Sequence, residues 1–98
     1  MPRRVYGKVD AVQHEIVTFL RKFGCSVQSL ASVGEGCPDL LIGYRRVNYL
    51  AECKTPGGRH RAKQGEWAES WAGGPVLLLR SVEEAERWLL HFAICSRN

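Results

Sequence analysis

No stretch of this chain approaches the ~20 consecutive apolar residues of a membrane-spanning helix. Arg3 and Arg4 are followed by no apolar core of the kind a secretory signal needs. These two absences predict an intracellular, cytoplasmic protein with no membrane partner. CxxC pairs are absent among the four cysteines, Cys25, Cys37, Cys53 and Cys95, so a zinc site has little support. Free thiols in apolar or strand-like surroundings fit a reducing interior. The histidines His14, His60 and His91 share no ligand-like spacing. The Gly34-Glu35-Gly36 loop does not match the GxGxxG pattern that opens a helix under a dinucleotide, and no small-molecule cofactor is predicted. There is no internal repeat and no low-complexity tract. Acidic residues are outnumbered, 10 against 14 basic ones, for a net charge of +4 and a pI of about 9.1. That balance favours a polyanionic partner, although many small proteins carry as much charge on a solvated surface.

What is present suits one globular domain spanning residues 1–98, with a basic N-terminal arm at 1–7 and a frayed tail at 96–98. A hydrophobic fraction of 45% over 98 residues is ordinary, and a domain of this size folds with limited spare stability. Val9, Val12, Ile16, Phe19, Leu20 and Phe23 recur at helical spacing and predict a helix over Lys8–Phe23, stopped by Gly24. Glu15 borders that stripe. A weak alternation predicts a strand over Cys25–Val33. Short apolar runs predict strands over Asp39–Gly43 and Val47–Lys54, the latter central because both its faces are apolar. Pro56-Gly57-Gly58 marks a loop. A helix follows over Ala62–Trp71, then a buried strand over Pro75–Leu79. A last helix begins at Ser81, where Ser81 and Glu84 make a capping box. Trp67, Trp71 and Trp88 fall at helical positions and read first as packing residues. The order is αβββαβα, an α/β arrangement in which a strand returning after a helix implies a parallel pair within a mixed four-stranded sheet flanked by helices.

The most informative residues are Cys37-Pro38-Asp39-Leu40-Leu41-Ile42-Gly43 and Leu50-Ala51-Glu52-Cys53-Lys54. Strand side chains alternate between faces, so Glu52 and Lys54 point the same way. If the two runs pair as a hairpin, Asp39 approaches Glu52. Two carboxylates beside an ammonium suit a Mg²⁺ site that cuts phosphodiesters.

This arrangement of Pro38-Asp39, a spacer and Glu52-Cys53-Lys54 resembles the PD-(D/E)xK nuclease superfamily, and within it the small virus-type replication-repair (VRR-Nuc) nucleases, from about Glu15 to about Leu79. Gly36 and Gln64 add to the resemblance. It implies a restriction-endonuclease-like core and a Mg²⁺ ion, with Mn²⁺ as a substitute, held by Asp39, Glu52, the backbone carbonyl of Cys53 and Glu15. Lys54 is assigned to the attacking water or the developing charge, and Gln64 to orienting water or phosphate. Two departures stand out. Cys53 replaces the usual aliphatic residue between Glu and Lys, and Ala62-Lys63 stands where a serine is expected before Gln64. Arg45, Arg46, Arg59, His60, Arg61 and Lys63, from the loops flanking the Glu52 strand, are expected to track DNA phosphates without reading bases. The resemblance and the small size together predict a homodimeric, structure-selective DNA endonuclease cutting four-way junctions. The alternatives are a nickase or flap endonuclease of the same fold, or a basic DNA-binding module whose acidic pair is only structural.

Overall fold

Seven elements follow in the order α1 (Gly7–Lys22), β1 (Ser26–Ser29), β2 (Leu40–Tyr44), β3 (Val47–Cys53), α2 (Ala62–Ser70), β4 (Leu77–Leu79) and α3 (Val82–Cys95). They are those of a computed structural model that describes residues 7–54 and 62–95, with side chains over 11–54 and 62–92. Arg59, His60 and Arg61, the arm up to residue 6 and the tail at 96–98 lie outside the described residues. Gly7, assigned to the arm from sequence, opens α1.

Helix α1 buries Ile16 and Leu20 completely and packs Val12, Val17 and Phe19 against the same core. It stops where glycine is required. Gly24 has φ +97°, its N–H donates to the Arg21 carbonyl (3.3 Å), and the Cys25 N–H donates to the Leu20 carbonyl (3.0 Å). This pair of bonds is the Schellman closure. Phe23, predicted to lie in the buried stripe, is 54% exposed. The chain is already leaving the helix there, and its ring rests on Phe19 with centroids 4.7 Å apart.

The sheet is mixed, in the order β1-β2-β3-β4. The pairs β1–β2 and β2–β3 are antiparallel, and β3–β4 is parallel across the α2 connection, as the returning strand required. β1 is shorter than its sequence suggested. Ser29 Oγ accepts the Ala31 N–H (3.2 Å) and the Leu30 carbonyl accepts the Val33 N–H (3.0 Å), which curls 30–33 into a turn. The β2–β3 hairpin closes on Arg45 and Arg46, both left-handed at φ +54° and +68°. A two-residue hairpin turn of this hand matches strand twist but favours Asn and Gly.

Register sorts the two faces. Leu40, Ile42, Tyr44, Tyr49, Ala51, Cys53, Leu77 and Leu79 share one face, deduced from Leu40↔Ala51, Ile42↔Tyr49 and Ala51↔Leu77. Helices α1 and α3 pack against each other and against this face. Tyr44, Tyr49, Trp88 and Phe92 interlock there at centroid spacings of 5.1–6.1 Å. The wholly buried Ile16, Leu20, Leu40 and Ile42 each contribute about 1.5–3 kcal/mol of hydrophobic stabilisation. Helix α3 starts as predicted at Ser81, whose Oγ accepts the Glu84 N–H (3.1 Å). The Glu84 carboxylate reaches one residue further back than a standard capping box, to the Arg80 N–H (2.7 Å).

The opposite face carries Leu41, Gly43, Asn48, Leu50, Glu52 and Leu78, by the pairs Leu41↔Leu50, Gly43↔Asn48 and Glu52↔Leu78. Helix α2 reaches this face through the hydrogen bond from Gln64 to Glu52 and buries none of its own residues. Of the three tryptophans, only Trp88 therefore packs against the core. Trp67 is half-buried, Trp71 is 48% exposed, and their rings stack on each other at 4.5 Å and 15°. Helical spacing over Ala62–Trp71 predicted them on one side of the helix; α2 ends at Ser70, so Trp71 lies just past it, and the two rings meet each other more than the core.

Candidate functional site

Antiparallel partners in the β2–β3 hairpin sum to 91 (Leu40 with Ala51, Ile42 with Tyr49). Asp39, one step outside β2, therefore faces Glu52, and residues opposed in this way hold their Cβ atoms about 5 Å apart on one side of a sheet. Asp39 is fixed from two directions. Its carbonyl accepts the Leu30 N–H (2.8 Å), and its Oδ2 accepts the Cys53 N–H (2.8 Å). Cys53 thus has its N–H bonded to Asp39 and its backbone beside Leu79 of β4.

Glu52 is 3% exposed, the buried charged residue among the described ones. Its Oε2 accepts a hydrogen bond from the Gln64 amide Nε2. The carbonyl oxygen of the same amide accepts the Lys54 ammonium (2.7 Å). Gln64 is therefore a bridge: one end satisfies the carboxylate and the other orients the cation. A carboxamide does this because it is donor and acceptor at once.

The loop before Asp39 positions α2. Gly34, Glu35 and Gly36 all lie in the left-handed region, at φ +73°, +55° and +83°. A Cβ on Gly36 would fall 2.3 Å from the Lys63 carbonyl oxygen and 2.7 Å from its carbon. Glycine thus lets the loop touch the backbone of the first turn of α2, one residue before Gln64. The exposed Lys63 and Glu35 side chains span the same junction at 3.6 Å.

Electrostatics mark the site as partly dry. Burial pushes the Asp39 carboxyl above the usual carboxylate range, opposed by the Cys53 N–H bond and the Lys54 charge. Burial pushes the Cys53 thiol up to about 12, with the Asp39 and Glu52 charges adding to it. Cys37 is raised by burial first and then by the Glu52 and Asp39 charges, so both carboxylates act on one pocket. The donor chemistry fits a hard divalent cation: two opposed carboxylates, with Asp39 Oδ1 carrying no hydrogen bond among the described residues.

Asp39, Glu52, Lys54 and Gln64, singled out from sequence, are brought together. Glu15 is not brought to them. It is exposed on α1, one residue from the buried Ile16 and so turned off the packed face, and no hydrogen bond or ion pair joins it to the acidic pair. Among the described residues no three His, Cys, Asp or Glu side chains form a metal-holding group. Arg45 and Arg46 do not flank the acids. They cap the far end of the hairpin, where Arg45 is six residues from Asp39, or about 20 Å at the rise of a strand. Lys63 stands beside Gln64 on α2. Sequence reasoning gave Gln64 to water or phosphate and missed its link between Lys54 and Glu52. A residue that is both donor and acceptor, ten residues after Lys54 and twelve after Glu52, carries no pattern that announces such a bridge.

A scan against protein-family models, a search of curated proteins and a search of solved structures each return no match for this chain.

Proposed function

We propose that this protein is a Mg²⁺-dependent, structure-selective DNA endonuclease with a restriction-endonuclease-like core. The observation that carries the reading is the convergence of Asp39, Glu52, Lys54 and Gln64 at one end of the β2–β3 hairpin. Asp39, Glu52 and the Cys53 carbonyl would hold the cation, with Mn²⁺ able to replace it. When bound, Mg²⁺ polarises a water and neutralises phosphate charge. Lys54 presents an ammonium where phosphate charge develops, and Gln64 fixes that ammonium through its carbonyl oxygen. Arg45, Arg46 and Lys63 would meet DNA phosphates, and Arg59, His60 and Arg61, outside the described residues, would extend the basic set. In this reading two copies pair as a homodimer and present two equivalent sites to a four-way junction. A nickase or flap endonuclease would use the same residues.

One observation favours a different class. Glu52 is buried and already bonded by Gln64, as it would be in a DNA-binding module whose acids are structural. Cleavage of a labelled four-way junction and a matched linear duplex, in Mg²⁺ and in chelator, separates the readings. The endonuclease cuts the junction symmetrically in Mg²⁺, and Asp39→Ala or Lys54→Ala lowers the rate at least ~100-fold. Equal cutting of both DNAs removes the junction preference. Wild-type protein that folds, binds DNA and cuts nothing in Mg²⁺ or Mn²⁺ establishes the binding module.

A further inference from the structure

Beside the acidic site lies a second feature that phosphodiester chemistry does not use. Trp67 on α2 and Trp71 just past its end form a two-indole stack, and each indole lines a different recess. Trp67 lines a polar hollow with Lys63, Glu35, Glu66 and Ser70. Trp71, 48% exposed, lines an apolar groove of about 550 Å³ with Leu41, Leu50, Leu77, Trp88 and Asn48. Leu41, Asn48 and Leu50 lie on the same sheet face as Glu52. Leu50 is two residues from Glu52 on β3, about 7 Å at the rise of a strand.

We propose that the groove takes an unpaired nucleobase of the DNA substrate, stacked on the Trp71 indole as a third ring. The proposal rests on the endonuclease reading of the acidic site and adds a substrate feature to it: bases that are splayed from the duplex beside the cut. Two observations distinguish a base from a merely greasy occupant. Planar rings already set at 15° offer a flat platform, and every base has a π-face to lay on it. Asn48 supplies an amide at the groove wall that can pair with a base edge. Trp71 acts here in substrate binding, not in catalysis.

The test uses the whole protein in chelator, so that nothing is cut, and single strands and splayed duplexes that carry 2-aminopurine or an abasic site at each position in turn. The expected result is quenching of 2-aminopurine at one or two positions beside the branch. An abasic site there weakens wild-type binding about 5- to 100-fold. Trp71→Ala loses the same factor and becomes indifferent to the abasic site, the signature of a coupled pair. Trp71→Phe folds and keeps most of the quenching. Wild-type affinity that is indifferent to the abasic site at every position overturns the proposal. So does a Trp71→Ala protein of native circular dichroism that binds like wild type, or one whose only change is loss of a concentration-dependent dimer, which assigns the groove to a second copy. Failure here with Mg²⁺-dependent cutting intact discards the stacking alone. Stacking without cutting discards the endonuclease.

Discussion

Asp39 sits on the unfavourable side of its own titration. Its carboxyl is raised by burial more than the Cys53 N–H and the Lys54 charge lower it. The raised group binds a proton more tightly in the folded state than in the unfolded chain. Below its ordinary value of 3.8 the proton is bound in both states and nothing is lost; as pH rises through the folded-state value, ionisation costs stability. Asp39→Asn keeps an acceptor for the Cys53 N–H and removes the charge. Its melting temperature is expected to exceed that of wild type at pH 7 in chelator and to equal it near pH 3. Added Mg²⁺ raises the melting temperature of wild type but not of Asp39→Asn. A variant less stable than wild type at pH 7 without metal would show that the carboxylate is a net structural asset. This cost, relieved by a cation, is what a ligand shows and a structural acid does not.

Among the elements, the loop at 34–38 and the β2–β3 turn carry the unusual backbone. Gly36 touches the first turn of α2, so Gly36→Ala forces either the loop or α2 to move, and the φ of +83° adds strain for any side chain. The expected outcome is a folded protein destabilised by about 1–3 kcal/mol with cleavage reduced more than DNA binding, because Gln64 loses its place between Lys54 and Glu52. Chemical denaturation and a comparison of KM with kcat check both halves. The turn behaves in the opposite sense. Arg46 holds φ +68°, and Arg46→Gly relieves a left-handed non-glycine residue, worth about 1 kcal/mol of added stability. If the arginine meets a phosphate, the same change lowers DNA affinity and reduces the salt dependence of binding by about one ion. A turn that keeps two arginines where Asn-Gly fits better has a conformation retained against local preference.

At the scale of the molecule, stability is uneven. One sheet face is closed by α1 and α3 over wholly buried Ile16, Leu20, Leu40 and Ile42; the other is met by a helix with no buried residue. Segments with few buried apolar contacts open at low free energy. Backbone amides within Gly65–Ser70 are expected to exchange with solvent well before those of Leu40, Ile42, Ala51 and Cys53, in native-state exchange followed residue by residue. If DNA seats on this face, its addition slows exchange in α2 first. Exchange of α2 in step with β2 and β3 would place it in the cooperative core instead. The candidate site thus lies across the boundary between a rigid hairpin, which supplies Asp39, Glu52 and Lys54, and a loosely held helix, which supplies Gln64.

Local pattern alone determined the element order, the parallel return of β4, the stop at Gly24 and the cap at Ser81. Each follows from period, turn chemistry or capping within a few residues. It also offered a hairpin in which Asp39 could approach Glu52, but the register came from the structure, where Tyr44 pairs with Val47 and the turn shrinks to Arg45 and Arg46. Tertiary structure decided what depends on long-range packing. It turned Phe23 and Glu15 outward, cut β1 short at Ser29, and moved Arg45 and Arg46 to the end of the hairpin away from the acids. It also set Trp67 on Trp71 rather than in the core. Periodicity says which residues share a side of an element; whether another element covers that side depends on contacts between distant segments, which no local pattern encodes. The Gln64 bridge is the sharpest case: its three members lie 12 residues apart or less, yet only the seating of the first turn of α2 against the Gly36 loop brings them within hydrogen-bonding reach.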